Sequence, residues 1–194
     1  MTCITRTGRD ILYSDFARVE HFDPDGTADS WMLHNSKDER PKTDYPPRRL
    51  REGGIFIEYG VPNKKFEILI HARDRSHRVE DNWVGWRGLE LGDSVASIGS
   101  KTGARHIEGT SDMRGIPLEE LVNYMAGAKM IVGPSSGPMH LATLCSCPQV
   151  VWSNRTGTLE RYKKTWNPFR VKTVTALSRN PSVWAVMEMI EEIR

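Results

Sequence analysis

The chain has 194 residues, room for one ordinary domain with an appendage and for a sizeable core. Its 27 Lys and Arg against 25 Asp and Glu leave a net charge of +2, so no global field points to nucleic acid or an acidic membrane, and any basic patch has to be local. The three cysteines, Cys3, Cys145 and Cys147, lack zinc-like spacing, and the amino terminus lacks an apolar signal core, so a soluble cytoplasmic protein with no transmembrane segment is expected.

Residues 1–54 are poor in apolar periodicity and rich in charge and turn formers, as in "HFDPDGTADS" and "HNSKDERPKTDYPPRRLREGG". An irregular extension, or a remnant of a second domain, is expected there. Asp23, Asp25 and Asp29 lack the glycine and distal glutamate of a calcium loop, so they read as a solvated turn and no metal is assigned. Pro46 and Pro47 followed by Arg48, Arg49 and Arg51 read as an exposed linker, with a phosphate-binding patch as the alternative.

From residue 55 to 194 the texture changes. Strand-sized apolar runs bounded by turn residues follow one another: "GIFIEYG", "FEILIHA", "SVASIG", "RHIEG", "KMIVG", "PQVVW" and "RVKTV". In "IPLEELVNYMAGA", Leu118, Leu121, Val122, Met125 and Ala126 share one helical face, with Pro117 in the first turn and Gly127 near the end. "DNWVGWRGLEL" is compatible with a helix through Trp83, Trp86 and Leu89, weakened by Gly85 and Gly88. "NPSVWAVMEMIEEIR" predicts a closing helix with Asn180 as N-cap, Pro181 at its first position and a stripe of Val183, Val186, Met187 and Ile190. Alternation of this kind predicts an α/β fold, a mostly parallel Rossmann-like sheet with helices on both faces.

One junction concentrates chemistry. "VGPSSGPMHLA" joins the expected strand at 129–133 to an expected helix at 138–145. Where a parallel strand ends and a helix begins, unpaired N–H groups and the positive end of the helix dipole favour a phosphate or carboxylate. Ser135 and Ser136 are suited to cap the helix or to donate to an anion. Gly137 permits close backbone approach, Pro138 presets the first turn, and His140 offers a further donor. The same composition also serves plain helix capping.

The stretch "GPSSGPMHLATLCSCPQVVW" is similar to the nucleotide-sugar-binding motif of the heptosyltransferase-like glycosyltransferases, Asp-Ser/Thr-Gly-x-x-His-Leu-Ala followed by a short Pro-Val strand. "ILIHARDRSHRVEDNW" and "DMRGIPLEELVNYMAGAKMIVG" resemble the family's earlier strand, polar loop and helix, so that the resemblance covers roughly residues 65–194. That span corresponds to the carboxyl-terminal, donor-binding half of a two-domain GT-B enzyme.

The resemblance implies that Ser136, Gly137, Pro138, Met139 and His140 contact the diphosphate of a nucleotide sugar, with Ser135 beside them and Ile116 near the base. Arg73, Arg75 and Arg78 would neutralise phosphate, and Glu108 would meet a ribose hydroxyl. His71 reads rather as a buried structural histidine. The chain departs from the pattern in carrying Ser135 where the family has aspartate. Residues 1–54 are too few for the family's acceptor domain, so the acceptor half is expected to be absent, reduced to a remnant, or supplied by a second protein chain.

The expected function is therefore transfer of a sugar from a nucleotide diphosphate, independent of metal and of any cofactor, or the donor-binding part of that reaction. No catalytic base can be singled out; Asp15, Asp23 and Glu58 are available carboxylates. The alternative is a non-catalytic nucleotide-sugar-binding module that works with a partner chain, and turnover against binding alone separates the two. Nucleic-acid binding through Arg48, Arg49 and Arg51 is disfavoured by the charge balance and by the lack of any RNA-binding signature.

Overall fold

The computed structural model of the protein describes residues 2–6, 18–22, 61–76, 79–164, 167 and 169–194. The chain divides into two compact units, Met1–Ile55 and Phe56–Arg194. In the first, β1 (Thr2–Arg6) and β2 (Arg18–Phe22) pair in parallel, a pairing that the sequence did not announce. The expected strand "GIFIEYG", the Asp23, Asp25 and Asp29 cluster and the Pro46 to Arg51 stretch lie outside the described residues.

Among the described residues, the second unit is built on six parallel strands: β3 (Ile68–Ile70), β4 (Val95–Gly99), β5 (Ser111–Arg114), β6 (Met130–Pro134), β7 (Gln149–Ser153) and β8 (Thr173–Leu177). Their order across the sheet is β5-β4-β3-β6-β7-β8. The chain thus builds outward from β3 to one edge, returns, and builds outward again from β6. Central strands buried on both faces read as continuous apolar runs, and β6, with all five residues buried, shows it. Edge strand β5 is the polar Ser-Asp-Met-Arg, half exposed.

Among the described residues, α1 (Leu118–Gly127), α2 (Gly137–Leu144) and α3 (Thr156–Lys163) each cross between successive strands, and α4 (Val183–Ile193) follows β8. On one face, Ile68, Ile70, Met130, Val132, Val150 and Trp152 pack against Val186, Met189 and Ile190 of α4. Trp83 and Trp86 complete that layer, their rings meeting each other at 4.8 Å and Trp152 at 5.0 and 5.7 Å. The Trp83 indole N–H donates to the Pro181 carbonyl at 2.7 Å, tying the segment before β4 to the start of α4. By the period-two alternation of strands, the fully buried Leu69, Ile131 and Val151 face the opposite layer. There α2 packs on β6 and β7, α3 on β7 and β8, and α1 on α2.

Several sequence expectations shift by a few residues. The run "RHIEG" is not a strand: Ile107 tucks into the core from a turn, its N–H donating to the Ser97 hydroxyl at 3.0 Å, and the strand follows at Ser111–Arg114. The last strand begins at Thr173, because the Asn167 side chain occupies both backbone groups of Val171 at 2.7 Å. In place of one helix over 81–91 there are two short 3-10 turns, Val79–Asp81 and Gly85–Gly88. The N-cap of α4 is Ser182, not Asn180; its hydroxyl accepts the Ala185 N–H at 3.1 Å. Helix α3, with only Leu159 and Tyr162 buried, was not foreseen. Among the described residues no helix is long and apolar enough to cross a membrane.

Candidate functional site

In an open parallel sheet, ligands lie outside the carboxyl ends of the strands where the strand order reverses. Here that point is between β3 and β6. A cavity of about 510 Å³ sits there, lined by His71, Arg73, Asp74 and Arg75 after β3, Thr102 and Gly103 after β4, and Ser136, Gly137 and Pro138 at the start of α2.

Backbone bonds knit these loops together. The Asp74 N–H donates to the Gly103 carbonyl at 3.0 Å and the Arg105 N–H to the Ala72 carbonyl at 2.7 Å. Gly133 has a packing role: a Cβ there would stand 2.9 Å from the His71 carbonyl oxygen and 3.3 Å from Met139 Sδ, so only a bare backbone lets β6, β3 and α2 converge. Gly137 is the reverse case. A Cβ on it would meet nothing within 4 Å, so the first turn of α2 stands open.

The arginines differ in their surroundings. Arg73 is half-buried and its Nη2 donates to the Ser135 carbonyl. Burial, and then the neighbouring Arg75, press the Arg73 pKa down, although a guanidinium stays charged at neutral pH. An anion in the cavity would relieve both effects. The Arg75 backbone is held by the Asn82 side chain, which accepts its N–H at 2.9 Å and donates to its carbonyl at 3.1 Å. Asn82→Ala is therefore expected to cost about 1–2 kcal/mol of stability, read as a lower urea midpoint. Asp74, the carboxylate in the lining, pairs with Arg105 at 3.6 Å.

Two cavity-lining residues hold buried polar atoms without a hydrogen-bond partner, Arg73 Nε and Ser136 Oγ. The other such atoms among the described residues belong to Trp86, Trp152 and Gln149 in the core. Buried donors are almost always satisfied, so two such atoms on residues of one cavity lining call for a partner.

The remaining expected site residues fall in different places. Ser135 meets the cavity only through Arg73, its carbonyl turned to that guanidinium. Met139 is fully buried against Gly133. His140 does not line the cavity; it lies behind, stacked on Tyr162 with ring centroids 4.7 Å apart and planes 7° from parallel. Burial pushes its pKa down to about 4, so it is neutral at pH 7 and cannot serve as a cationic phosphate ligand. Ile116 lies in the turn between β5 and α1, outside the lining. Glu108 is exposed in a separate hollow with Val84, Trp86, Arg87 and Arg105; it precedes β5 and does not follow a strand, so the strand-end analogy for ribose does not hold. Arg78 lies outside the described residues. His71 is buried, its Nδ1 3.3 Å from the Ile98 carbonyl, and burial takes its pKa down to about 4.

Asp74, Thr102 and Gly103 were not picked out from sequence. The Ser-x-x-Gly turn after β4, closed by Gly103 N–H to Ser100 Oγ at 2.9 Å, was the available signal for the last two.

An all-parallel sheet with this strand order, and a crevice lined by Arg73 and Arg75 at its reversal, defines a Rossmann-type α/β domain. Two solved structures share the fold. The E. coli heptosyltransferase WaaC with ADP is 20% identical, with a TM-score of 0.50 over 69% of this chain and 46% of its own. A glycosyl transferase family 9 protein from Veillonella parvula is 13% identical, with a TM-score of 0.50 over 98% of this chain and 67% of its own. The chain thus spans less than half of the heptosyltransferase, and the likeness is one of fold. No protein-family model matches the sequence, and no curated protein does.

Proposed function

We propose that the Phe56–Arg194 unit binds the diphosphate of a nucleotide-diphosphate sugar in the β3/β6 crevice, and that the chain is a metal-independent glycosyltransferase or its donor-binding subunit. The observation that carries this reading is that Arg73 and Ser136, each holding a buried polar atom without a partner, line one cavity together with the open first turn of α2 at Gly137. The ADP named with the heptosyltransferase supports a nucleoside diphosphate as the ligand class. In sugar transfer, charge builds on the departing diphosphate, and in this reading Arg73, Arg75 and the α2 amides stabilise it.

The acceptor and its base come from elsewhere in this reading, from residues 1–54 or from a second protein chain. In the cavity, Asp74 is engaged by Arg105 and His71 by the Ile98 carbonyl, while Asp15, Asp23 and Glu58 lie outside the described residues. That arrangement equally favours a second reading, a binding module without turnover of its own. Donor hydrolysis and sugar transfer, assayed with the chain alone and with candidate partner chains, separate the two: binding without turnover in every combination eliminates the transferase.

A thermal-shift panel of ADP, UDP, GDP and CMP derivatives with their sugars tests binding itself, since a ligand specific for the folded form raises its melting temperature. Gly137→Val provides the control. Its side chain enters open space, so the fold should lose no more than about 1 kcal/mol, while the ligand-induced shift should disappear. A full shift in this variant would place the ligand elsewhere.

A further inference from the structure

Behind the cavity lies a residue that no motif pointed to. Tyr162, in the last turn of α3, is fully buried, yet its hydroxyl lies 3.4 Å from the Ser136 carbonyl, 3.4 Å from Ser135 Oγ and 3.2 Å from His140 Nε2. A phenol has one proton to donate and can accept two. The Ser136 carbonyl can only accept, so the arrangement that satisfies all three contacts has Tyr162 donating to it. Tyr162 then accepts from the Ser135 hydroxyl and from a His140 protonated at Nε2. The neutral state of His140 agrees with a single ring proton held there.

The consequence for the cavity follows from peptide planarity. The Ser136 carbonyl and the Gly137 N–H belong to one rigid amide and point in opposite directions. Fixing the carbonyl towards Tyr162 fixes the Gly137 N–H away from it, and Gly137 lines the cavity. The His140 N–H holds the same carbonyl from within α2, at 3.2 Å.

We infer that Tyr162 is a positioning residue for anion recognition: by holding the Ser136 carbonyl it orients the amide whose N–H meets the ligand's phosphate. The inference rests on the diphosphate-binding reading above. It assigns to α3 a part in recognition, through the stacked His140 and Tyr162 pair, although neither residue lines the cavity.

The test uses the full chain, inorganic pyrophosphate as probe, and Tyr162→Phe, which keeps the ring stack. Calorimetric titration should show affinity weakened about five- to tenfold, the worth of one well-placed hydrogen bond, with the variant still folded by circular dichroism. Nitrogen-15 spectra of the histidines supply a readout that simple packing would not move: wild-type His140 should carry its proton on Nε2. A proton on Nδ1 overturns the inference, because Tyr162 would then have to donate to His140 in place of Ser136; this result decides alone if Tyr162→Phe does not fold. Equal pyrophosphate affinity in the two proteins removes Tyr162 from recognition and leaves the site standing. If the wild type binds no pyrophosphate, the diphosphate reading falls and the inference with it.

Discussion

Arg73→Met is expected to weaken binding of a nucleoside diphosphate by about ten- to a hundredfold, the range of one charge-assisted hydrogen bond lost from a partly buried site. The side chain lines the cavity, is half-buried and anchored to the Ser135 carbonyl, and carries a buried, unsatisfied Nε. Methionine has similar reach and no charge, so the fold should lose only about 1 kcal/mol, the bond to Ser135. Arg73→Lys restores charge without the planar fork and should recover only part of the affinity. Calorimetry on the three proteins checks this, and equal affinities would remove Arg73 from the site.

Acid should begin to destabilise the protein above the pH at which ordinary carboxylates titrate. Burial takes both His71 and His140 from an ordinary 6.5 down to about 4. For His71 the positive Arg73 and Arg75 act in the same direction, against the Ile98 carbonyl. Between pH 6.5 and about 4 the unfolded chain therefore binds protons that the folded chain refuses. The stabilisation is complete above pH 6.5 and is lost progressively as the pH falls towards 4. Each histidine contributes at most about 3 kcal/mol to this loss. Urea midpoints measured from pH 8 to pH 4 should fall through that window, and His140→Gln should flatten about half of the slope. A midpoint independent of pH above 4.5 would show that the histidines are not held neutral. Because His71 lines the cavity, a bound anion should raise its pKa and soften the acid loss.

What the sequence disclosed depended on how strongly burial writes itself into residue choice. Strands β4, β6 and β7 are buried on both faces and appear as plain apolar runs; helix α1, with Val122 and Met125 inward, shows its stripe clearly. Edge strand β5 faces solvent, so its Ser-Asp-Met-Arg carries no alternation, and the nearby Ile107 drew attention to the wrong segment. Helix α3 buries only Leu159 and Tyr162, too short a stripe to stand out against its charged neighbours. In the site, Ser136, Gly137 and Pro138 were legible because helix-start chemistry is local in sequence. Arg73 and Arg75 were legible as charges leaving a strand. Their meeting with Thr102 and Gly103 was not, since it depends on β3 and β4 lying side by side. The place of His140 was hidden for the same reason: its partner Tyr162 comes 22 residues later, on another helix.

The proposed function requires a polyanion seated between the ends of β3 and β6. Titrating nitrogen-15-labelled protein with ADP and following every amide together with the arginine side-chain signals tests it most directly. The largest shifts are expected at Ser136, Gly137 and the Arg73 Nε–H, saturating together with one affinity. Shifts confined to Arg87, Arg105 and Glu108 around the other hollow, or none at saturating ADP, would contradict it.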